Sequence, residues 1–340
     1  MLRSVDPPIG AAHGRRVQAV DRLGKRIVFT LSGDLYLVIH LMVAGRLRWH
    51  DDSAAAKIPR KVGLAGFQFD SGTLVLTEAG SKRRASVHLA AGSGGLAEHE
   101  RGGLEVLEAD TDAFREVLLS ENHTLKRALA DPRLFSGIGN AFSDEILHRA
   151  GLSPLQLTAR MNDEQVDALR GACVAVLTEW VDLLRAESGE EFPKKVTAFH
   201  PKMAVHGKYG QPCPACGTPV QRIRYAANES NYCPTCQTGG KLLADRALSR
   251  LLKSDWPRSV DELEDLRKPR PWGGTGNRPA QMQNRRPRRP PPYSPASAAS
   301  CRYRRRGAGQ APIVRPDTPR CRPRLPLAAA RLPAPANRPT

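Results

Sequence analysis

Hydrophobic and polar residues alternate at strand-like spacing through the first quarter of the chain. Four apolar runs pair up around short polar turns: residues 26–31 with 35–41, and residues 66–69 with 73–77. Runs of this kind, bounded by Gly, Ser and Asp, are typical of antiparallel strands joined by tight turns. The pattern predicts a meander-like antiparallel sheet within residues 15–90, in which residues 45–49 continue the arm that begins at Leu35.

Helical periodicity replaces this alternation between residues 111 and 187. Asn162 is a suitable N-cap for a helix whose apolar residues recur three and four positions apart, namely Val166, Leu169, Cys173, Val176, Leu177, Trp180 and Leu184. Two shorter helices are predicted before it, one over 124–130 and one from Asn140 to a stop at Gly151. The glycine-rich segment 134–139 between them indicates a helix–turn–helix-like unit.

The charge of the chain is concentrated at its end. The 340 residues carry a formal net charge of +18, of which residues 266–340 carry +17. The same 75 residues hold 16 of the 28 prolines and little periodic apolar pattern, which predicts a disordered basic tail. Three interpretations stay open: a solvated tail, a non-specific grip on phosphates, or the product of a shifted reading frame. No apolar run reaches membrane-spanning length, and no secretory signal opens the chain.

Four cysteines have the spacing of a metal site. Cys213, Cys216, Cys233 and Cys236 form the pattern C-x2-C-x16-C-x2-C, in which each pair can place two thiolates on one metal ion. Four sulfur ligands leave no open coordination position, so the pattern predicts one structural zinc ion in a hairpin finger. Cys173 is expected in the core, and Cys301 and Cys321 are expected to be incidental.

A second candidate site lies at the start of the helix that begins at Asn140. Glycines in Gly137–Ile138–Gly139 leave the first N–H groups of that helix accessible, and the helix dipole favours an anion there. A DNA phosphate is a natural occupant, although a plain helix–helix turn explains the motif equally well.

Together, the two motifs resemble those of the bacterial formamidopyrimidine-DNA glycosylase family. The resemblance rests on GIGNAFSDEILHRAGLSP (137–154), the CPACG and YCPTCQ segments, HLMVAGRLRW (40–49) and VHGKYGQPC (205–213). It covers roughly residues 15–245. It implies an α+β multidomain protein with a truncated N-terminal antiparallel β-sandwich over 1–108, a helix–two-turn–helix domain over 109–200, a zinc finger over 201–255 and the tail over 266–340.

The resemblance implies a base-excision-repair glycosylase and abasic-site lyase that removes oxidised bases from double-stranded DNA through a Schiff base. The family's nucleophile is an N-terminal proline followed by glutamate, whereas this sequence begins Met-Leu-Arg-Ser. We therefore expect the first strand and helix to be missing, either because the start is assigned too far downstream or because the gene is truncated. The alternative function is a protein that binds damaged DNA without cleaving it.

The resemblance also assigns site residues. Lys25 matches the family's sandwich lysine beside the lesion, as a phosphate contact or a possible amine, although an exposed strand lysine remains possible. The expected DNA contacts are Asn140, Glu145, Lys126, His40, Arg83, Arg84 and Asn228. His40 is nearly as well explained as a core histidine, and Arg83 and Arg84 as a solvated turn. Asn228, Ala85 and Val43 stand where the family carries arginine, phenylalanine and methionine, which puts lesion preference in doubt. A monomer in the bacterial cytoplasm, associated with the nucleoid, is expected.

Overall fold

The structure is a computed structural model that describes residues 1–51, 58–80, 82–193, 199–225, 228–244, 257–267 and 330–332. The strands are β1 (Val17–Leu23), β2 (Arg26–Leu31), β3 (Leu35–His40), β4 (Gly45–His50), β5 (Gly63–Phe69), β6 (Gly72–Glu78), β7 (Ser86–Ala91), β8 (Gln221–Tyr225), β9 (Asn228–Tyr232) and β10 (Ala330–Leu332). The helices are α1 (Gly92–Ala97), α2 (Thr111–Leu119), α3 (Leu125–Ala130), α4 (Asn140–Arg149), α5 (Asp163–Ser188), α6 (Pro234–Thr238) and α7 (Val260–Arg267). Two 3₁₀ turns, Ile9–Ala12 and Thr158–Arg160, complete the elements.

The first seven strands form two sheets that share one apolar core. One sheet has the order β1-β2-β3-β7, and the other has the order β10-β5-β6-β4, in which β10 runs parallel to β5. Alternate residues of β3, such as Leu37 and Ile39, turn into the core and meet Phe67 and Leu76 of the second sheet. This packing of two sheets over one core is the predicted β-sandwich.

The predicted meander is wrong at one point. Residues 45–49 do not continue the β3 arm, because β4 pairs with β6 in the second sheet. The chain reverses between His40 and Gly45, where the Gly45 N–H donates to the Leu41 carbonyl at 2.9 Å and Met42 has a φ of 53°. This left-handed residue redirects the chain out of the first sheet.

The helical module has a core of its own. Its apolar residues, among them Phe114, Leu129, Phe135, Ile146 and Cys173, are fully buried. α5 begins as predicted, since the side chain of Asn162 accepts from the Gln165 N–H at 2.9 Å and that of Gln165 accepts from the Asn162 N–H. This capping box fixes the start of the helix.

The finger is a hairpin, β8–β9, that precedes the short helix α6. Val205 and Val220 pack beside Cys213 and Cys233 in a small core. Residues 245–256, Cys301 and Cys321 lie outside the described residues, as does most of the predicted basic tail. None of the described helices is long and apolar enough to span a bilayer.

Candidate nucleic-acid interface and metal centre

A cleft of about 740 Å³ opens where the first sheet meets the loops of the helical module. Its basic lining residues are Arg3, Lys25, Arg26, Arg84, Arg101 and Arg133, and its histidines are His40, His88 and His99. Four acidic residues also line it, Glu98, Glu100, Glu105 and Asp131, and some of them are paired with arginine. The surplus of cations over carboxylates suits the cleft to a phosphate backbone.

Lys25 lies where the sandwich meets the helical module. It follows Gly24 in the turn between β1 and β2, and its Nζ donates to the main-chain carbonyl of Ile138 at 2.9 Å. Partial burial, followed by the positive charge of Arg26, lowers the pKa of Lys25. The amine therefore lies beside the glycine-rich turn that precedes α4, where the sequence analysis expects a phosphate.

Arg26, His40 and Ser86 form a row across three strands of the first sheet, since Arg26 pairs with His40 and His40 pairs with Ser86. The Nδ1 of His40 accepts the Met42 N–H at 2.9 Å, which leaves the Nε2 atom of the ring to carry its proton. Burial, and then the charges of Arg26 and Lys25, lower the pKa of His40. His40 is thus a half-buried residue of the cleft rather than a core histidine.

The structure separates the two adjacent arginines. Arg84 lines the cleft, and its main-chain N–H donates to Oε1 of Glu78 at 3.0 Å. Arg83 points away, with its Nη2 atom donating to the Lys61 carbonyl at 2.5 Å. Only Arg84 of this pair therefore faces the cleft.

Several cleft residues escaped the sequence analysis. His88 and His99 stack edge to face with ring centroids 4.6 Å apart, and burial followed by the neighbouring ring lowers the pKa of His88. Arg101 follows α1, and Arg133 holds the pKa of Asp131 at about 2 through a hydrogen-bonded ion pair. The position of His88 between the buried Val87 and Leu89 was the one available signal, because alternation places it on the opposite face of β7.

Asn140 is the first residue of α4, and no side chain caps that end of the helix. Gly137, with a φ of 79°, makes the turn that precedes it. Glycine adopts this left-handed conformation without strain. The first N–H groups of α4 therefore remain available to an anion. Asn228 is the first residue of β9, and its backbone pairs with that of Tyr225 in the finger.

Two predicted DNA contacts lie inside the protein instead. The Nζ of Lys126 donates to Asp144 Oδ1 at 2.6 Å, to Ser143 Oγ at 2.8 Å and to the Asn140 carbonyl at 2.6 Å. Burial lowers the pKa of Lys126, and the Asp144 carboxylate opposes that shift. Internal partners occupy the ammonium, so Lys126 lies beneath the glycine-rich turn rather than at its surface.

Glu145 joins α4 to the chain that enters the finger. Its two carboxylate oxygens accept the main-chain N–H groups of Ala204, Val205 and His206 at 2.7–2.9 Å. The neighbouring carboxylate of Asp144 lies 2.8 Å from His206 Nδ1. These contacts make Glu145 an internal support for the finger, and its side chain does not line the cleft.

The four cysteines of the predicted zinc site come together. Their sulfur atoms all lie within 4.8 Å of one another, with Cys216 and Cys233 3.4 Å apart and Cys213 and Cys236 3.9 Å apart. Zinc–sulfur bonds of about 2.3 Å in a tetrahedron require sulfur–sulfur distances of about 3.8 Å. The geometry fits one structural zinc ion, and the finger holds it.

Three family models match the chain in the order of its domains. They are the formamidopyrimidine-DNA glycosylase N-terminal domain over residues 4–85, the formamidopyrimidine-DNA glycosylase H2TH domain over 104–189, and the zinc finger found in FPG and IleRS over 210–239. The three matches coincide with the sandwich, the helical module and the finger described above.

Curated relatives carry the same name. A formamidopyrimidine-DNA glycosylase of Thermus thermophilus is 33% identical over 236 residues, which cover 67% of this chain and 85% of that protein. One from Desulfitobacterium hafniense is 30% identical over 237 residues, covering 67% and 84%. An uncharacterized formamidopyrimidine-DNA glycosylase-like protein of Mycobacterium tuberculosis is 38% identical over 151 residues, covering 44% and 94%.

Solved structures have the same fold. MutM in complex with DNA containing carbocyclic 8-oxo-G superposes with a TM-score of 0.58 at 24% identity, covering 66% of this chain and 83% of that one. The Lactococcus lactis Fpg bound to abasic-site DNA gives 0.57 at 23% identity, with the same coverage. A sandwich and a helical module that enclose a basic cleft, followed by a zinc finger, define a nucleic-acid-binding protein. The chain belongs to the formamidopyrimidine-DNA glycosylase family.

Proposed function

We propose that this chain, a DNA-repair glycosylase by family, removes an oxidised base from double-stranded DNA and cleaves the strand at the abasic site, with Lys25 as the reacting amine. One observation supports the choice of residue. Among the described residues that line the cleft, Lys25 carries the one side-chain amine, and the other cations there are arginines or histidines. Arginine stays protonated at all physiological pH values and cannot serve as the nucleophile.

The environment of Lys25 favours this chemistry. A free amine attacks carbon, whereas an ammonium does not, so a lowered pKa increases the reactive fraction. Partial burial and Arg26 lower the pKa of Lys25. The carbonyl of Ile138 accepts from the amine and orients it beside the turn that leads to Asn140.

The proposed reaction passes through an imine between Lys25 and the sugar. The Lys25 nitrogen forms a bond to C1′ of the damaged nucleoside as the C1′–base bond breaks, and the base leaves with that electron pair and a proton. The C1′–O4′ bond then breaks as the nitrogen forms an imine with C1′, and O4′ takes the proton that the nitrogen loses. Loss of a C2′ proton breaks the C3′–oxygen bond, the 3′ phosphate leaves with that electron pair, and water hydrolyses the imine to release the enzyme.

DNA would be held by two groups of contacts. The open N-terminus of α4 at Asn140 binds a backbone phosphate, while Arg84 and His40 approach the strand from the sheet. This arrangement requires the damaged nucleotide to leave the stack, as other enzymes that act on bases require.

Borohydride trapping tests the proposal. The full chain is incubated with abasic-site duplex and borohydride, and a covalent complex is sought on a denaturing gel. We expect an adduct for the unmodified chain, no adduct for Lys25→Arg, which keeps the charge, and an undiminished adduct for Lys61→Arg, an exposed lysine outside the cleft.

Two results would contradict the proposal. An adduct that survives in Lys25→Arg would exclude Lys25 as the amine. Tight binding of abasic DNA by the unmodified chain without any adduct would exclude lyase activity and would favour the alternative of a protein that binds damaged DNA without cleaving it.

We further infer that the protein acts as a monomer on the bacterial nucleoid, in the cytoplasm. The continuity of cleft, α4 and finger within one chain supports a monomer. Sedimentation with and without a lesion-containing duplex would measure the stoichiometry, and a 2:1 complex of protein with DNA would contradict it.

A further inference from the structure

Helix α4 contacts the finger region at several points along its length. Asp144 and Glu145 of α4 hold residues 204–206, as described above. Beyond the end of the same helix, the Leu152 carbonyl accepts from Gln237 Nε2 of α6 at 2.9 Å. His148 lies between these two contacts, one helical turn after Asp144 and therefore on the same face of α4.

His148 contacts the four-cysteine site directly. Its Nε2 atom lies 3.2 Å from Sγ of Cys213, a residue 65 positions further along the chain. Cys213 is almost fully buried, and the histidine is half-buried beside it. The contact joins a helix of the DNA-binding module to a ligand of the finger.

The chemistry of the ligand decides which atom donates. A cysteine that binds zinc is a thiolate and carries no proton. The hydrogen in this contact must therefore come from the histidine, so the Nε2–H of His148 donates to the Cys213 sulfur. A donor of this kind withdraws negative charge from a four-thiolate site, whose formal charge with zinc is about −2.

A comparison within the finger supports the assignment. Burial acts to raise the pKa of the Cys216 thiol, but Thr218 of the same finger loop favours the thiolate and the pKa is lowered to about 6. The donor to Cys213 comes instead from α4, outside the finger. Cys216 thus has its polar partner within the finger loop, whereas Cys213 has its partner in α4.

We propose that His148 supports the zinc site without binding the metal. Its Nε2–H bond to the Cys213 thiolate slows the loss of zinc and fastens the four-cysteine site to α4. Removal of such partners typically weakens metal binding about 10- to 100-fold. The zinc occupancy of the finger is thereby linked to the helix that follows Gly137 at the edge of the cleft.

Zinc release from the full-length, zinc-loaded protein tests this role. Excess chelator is added, and the release rate is followed with a colorimetric zinc dye. We expect zinc loss about tenfold faster in His148→Phe, which keeps an aromatic ring but has no donor, and a rate close to that of the unmodified chain in His148→Gln, whose amide can still donate. The matched control is Arg149→Ala, because Arg149 is the next residue of α4 and pairs with Glu179 of α5 instead of the finger.

Cobalt substitution gives a second readout that does not depend on release kinetics. The sulfur-to-cobalt charge-transfer band should shift in His148→Phe and not in Arg149→Ala, because the sulfur loses a hydrogen bond only in the former. Thermal unfolding separates this role from simple packing. Loss of the donor should lower the Tm of the zinc-loaded protein more than that of the zinc-free protein.

Two results would overturn the proposal. One is a zinc-release rate for His148→Phe within twofold of the unmodified chain, with an unchanged cobalt spectrum. The other is an equal fall in Tm with and without zinc, which would mean that His148 only fills space. If His148→Phe does not fold, the same cobalt comparison is made with His148→Leu, which also lacks a donor, and a spectrum identical to that of the unmodified chain would reject the hydrogen bond.

Discussion

The ammonium of Lys126 lies 2.6 Å from the carboxylate of Asp144, and no part of the Asp144 side chain is exposed to solvent. Asp144 also accepts from Ser230 Oγ at 3.1 Å and Asn231 Nδ2 at 3.2 Å of the finger. One buried carboxylate therefore connects α3, α4 and β9. Because Lys126 also holds the Asn140 carbonyl, the charge pair fixes the start of α4, which the proposed phosphate contact requires.

This pair predicts a large loss of stability on removal of one partner. Asp144→Asn leaves the Lys126 ammonium buried without a counter-charge, and breaking such a pair costs about 3–5 kcal/mol. The free energy of unfolding is measured by denaturant titration. The control is Glu179→Gln, because the Arg149–Glu179 pair is about half exposed and such pairs contribute about 0–1 kcal/mol. Equal losses for the two variants would contradict the interpretation.

The three N–H bonds of Glu145 predict a more local effect. Glu145→Gln replaces one accepting oxygen with an amide NH2 that cannot accept from a main-chain N–H, and an unsatisfied buried group costs about 1–3 kcal/mol. Hydrogen exchange should accelerate at Ala204, Val205 and His206 while amides of β2 and β3 stay protected. Unchanged exchange at these three residues would show that the carboxylate is not required there.

Loss of a zinc ligand should affect the finger and leave the sandwich folded. Cys216→Ser removes one of four ligands, so we expect loss of zinc and of binding to lesion-containing DNA, while the sandwich, with its own apolar core, stays folded. Zinc per chain is measured by elemental analysis, and the sheet is followed by hydrogen exchange at β3. One zinc retained per chain would refute the four-cysteine site.

The histidines of the cleft predict how stability depends on pH. The pKa values of His40, His88 and His99 are lowered in the folded protein, in each case by burial first and by neighbouring charges or rings next. Between these lowered values and about 6.5, the unfolded chain binds more protons than the folded one. Stability therefore rises with pH through that window and falls as the pH drops below about 6.5.

Denaturant midpoints at pH 7.5 and 5.5 test this dependence. The fall in midpoint at pH 5.5 should be smaller in the double variant His88→Gln/His99→Gln than in the unmodified chain. Acid also releases zinc, so the comparison uses the difference between proteins, with His50→Gln on the exposed face of β4 as the matched control. An identical fall in all three proteins would contradict the prediction.

Local sequence signals predicted much of the fold. The bounds of β2, β3 and α5 follow from alternation, helical spacing and the Asn162 cap, because these signals act over a few residues. Local patterns also predicted the order of sheet, helices and finger, and the resemblance to a known family agreed with that order. The assignment of β4 to the first sheet was wrong, since strand pairing depends on where the chain turns at Met42 and on which face finds an apolar partner.

The sequence by itself determined the zinc ligands, because two CxxC pairs joined by 16 residues already carry the chemistry of a four-thiolate site. Only the tertiary structure decided which charged residues face the cleft. Lys126, Glu145 and Arg84 are all polar residues in matching motifs, yet two of them turn inward to satisfy buried partners and one turns outward. The inward position of Lys126 and Glu145 depends on contacts between residues 14 to 61 positions apart in the chain, which no local pattern encodes.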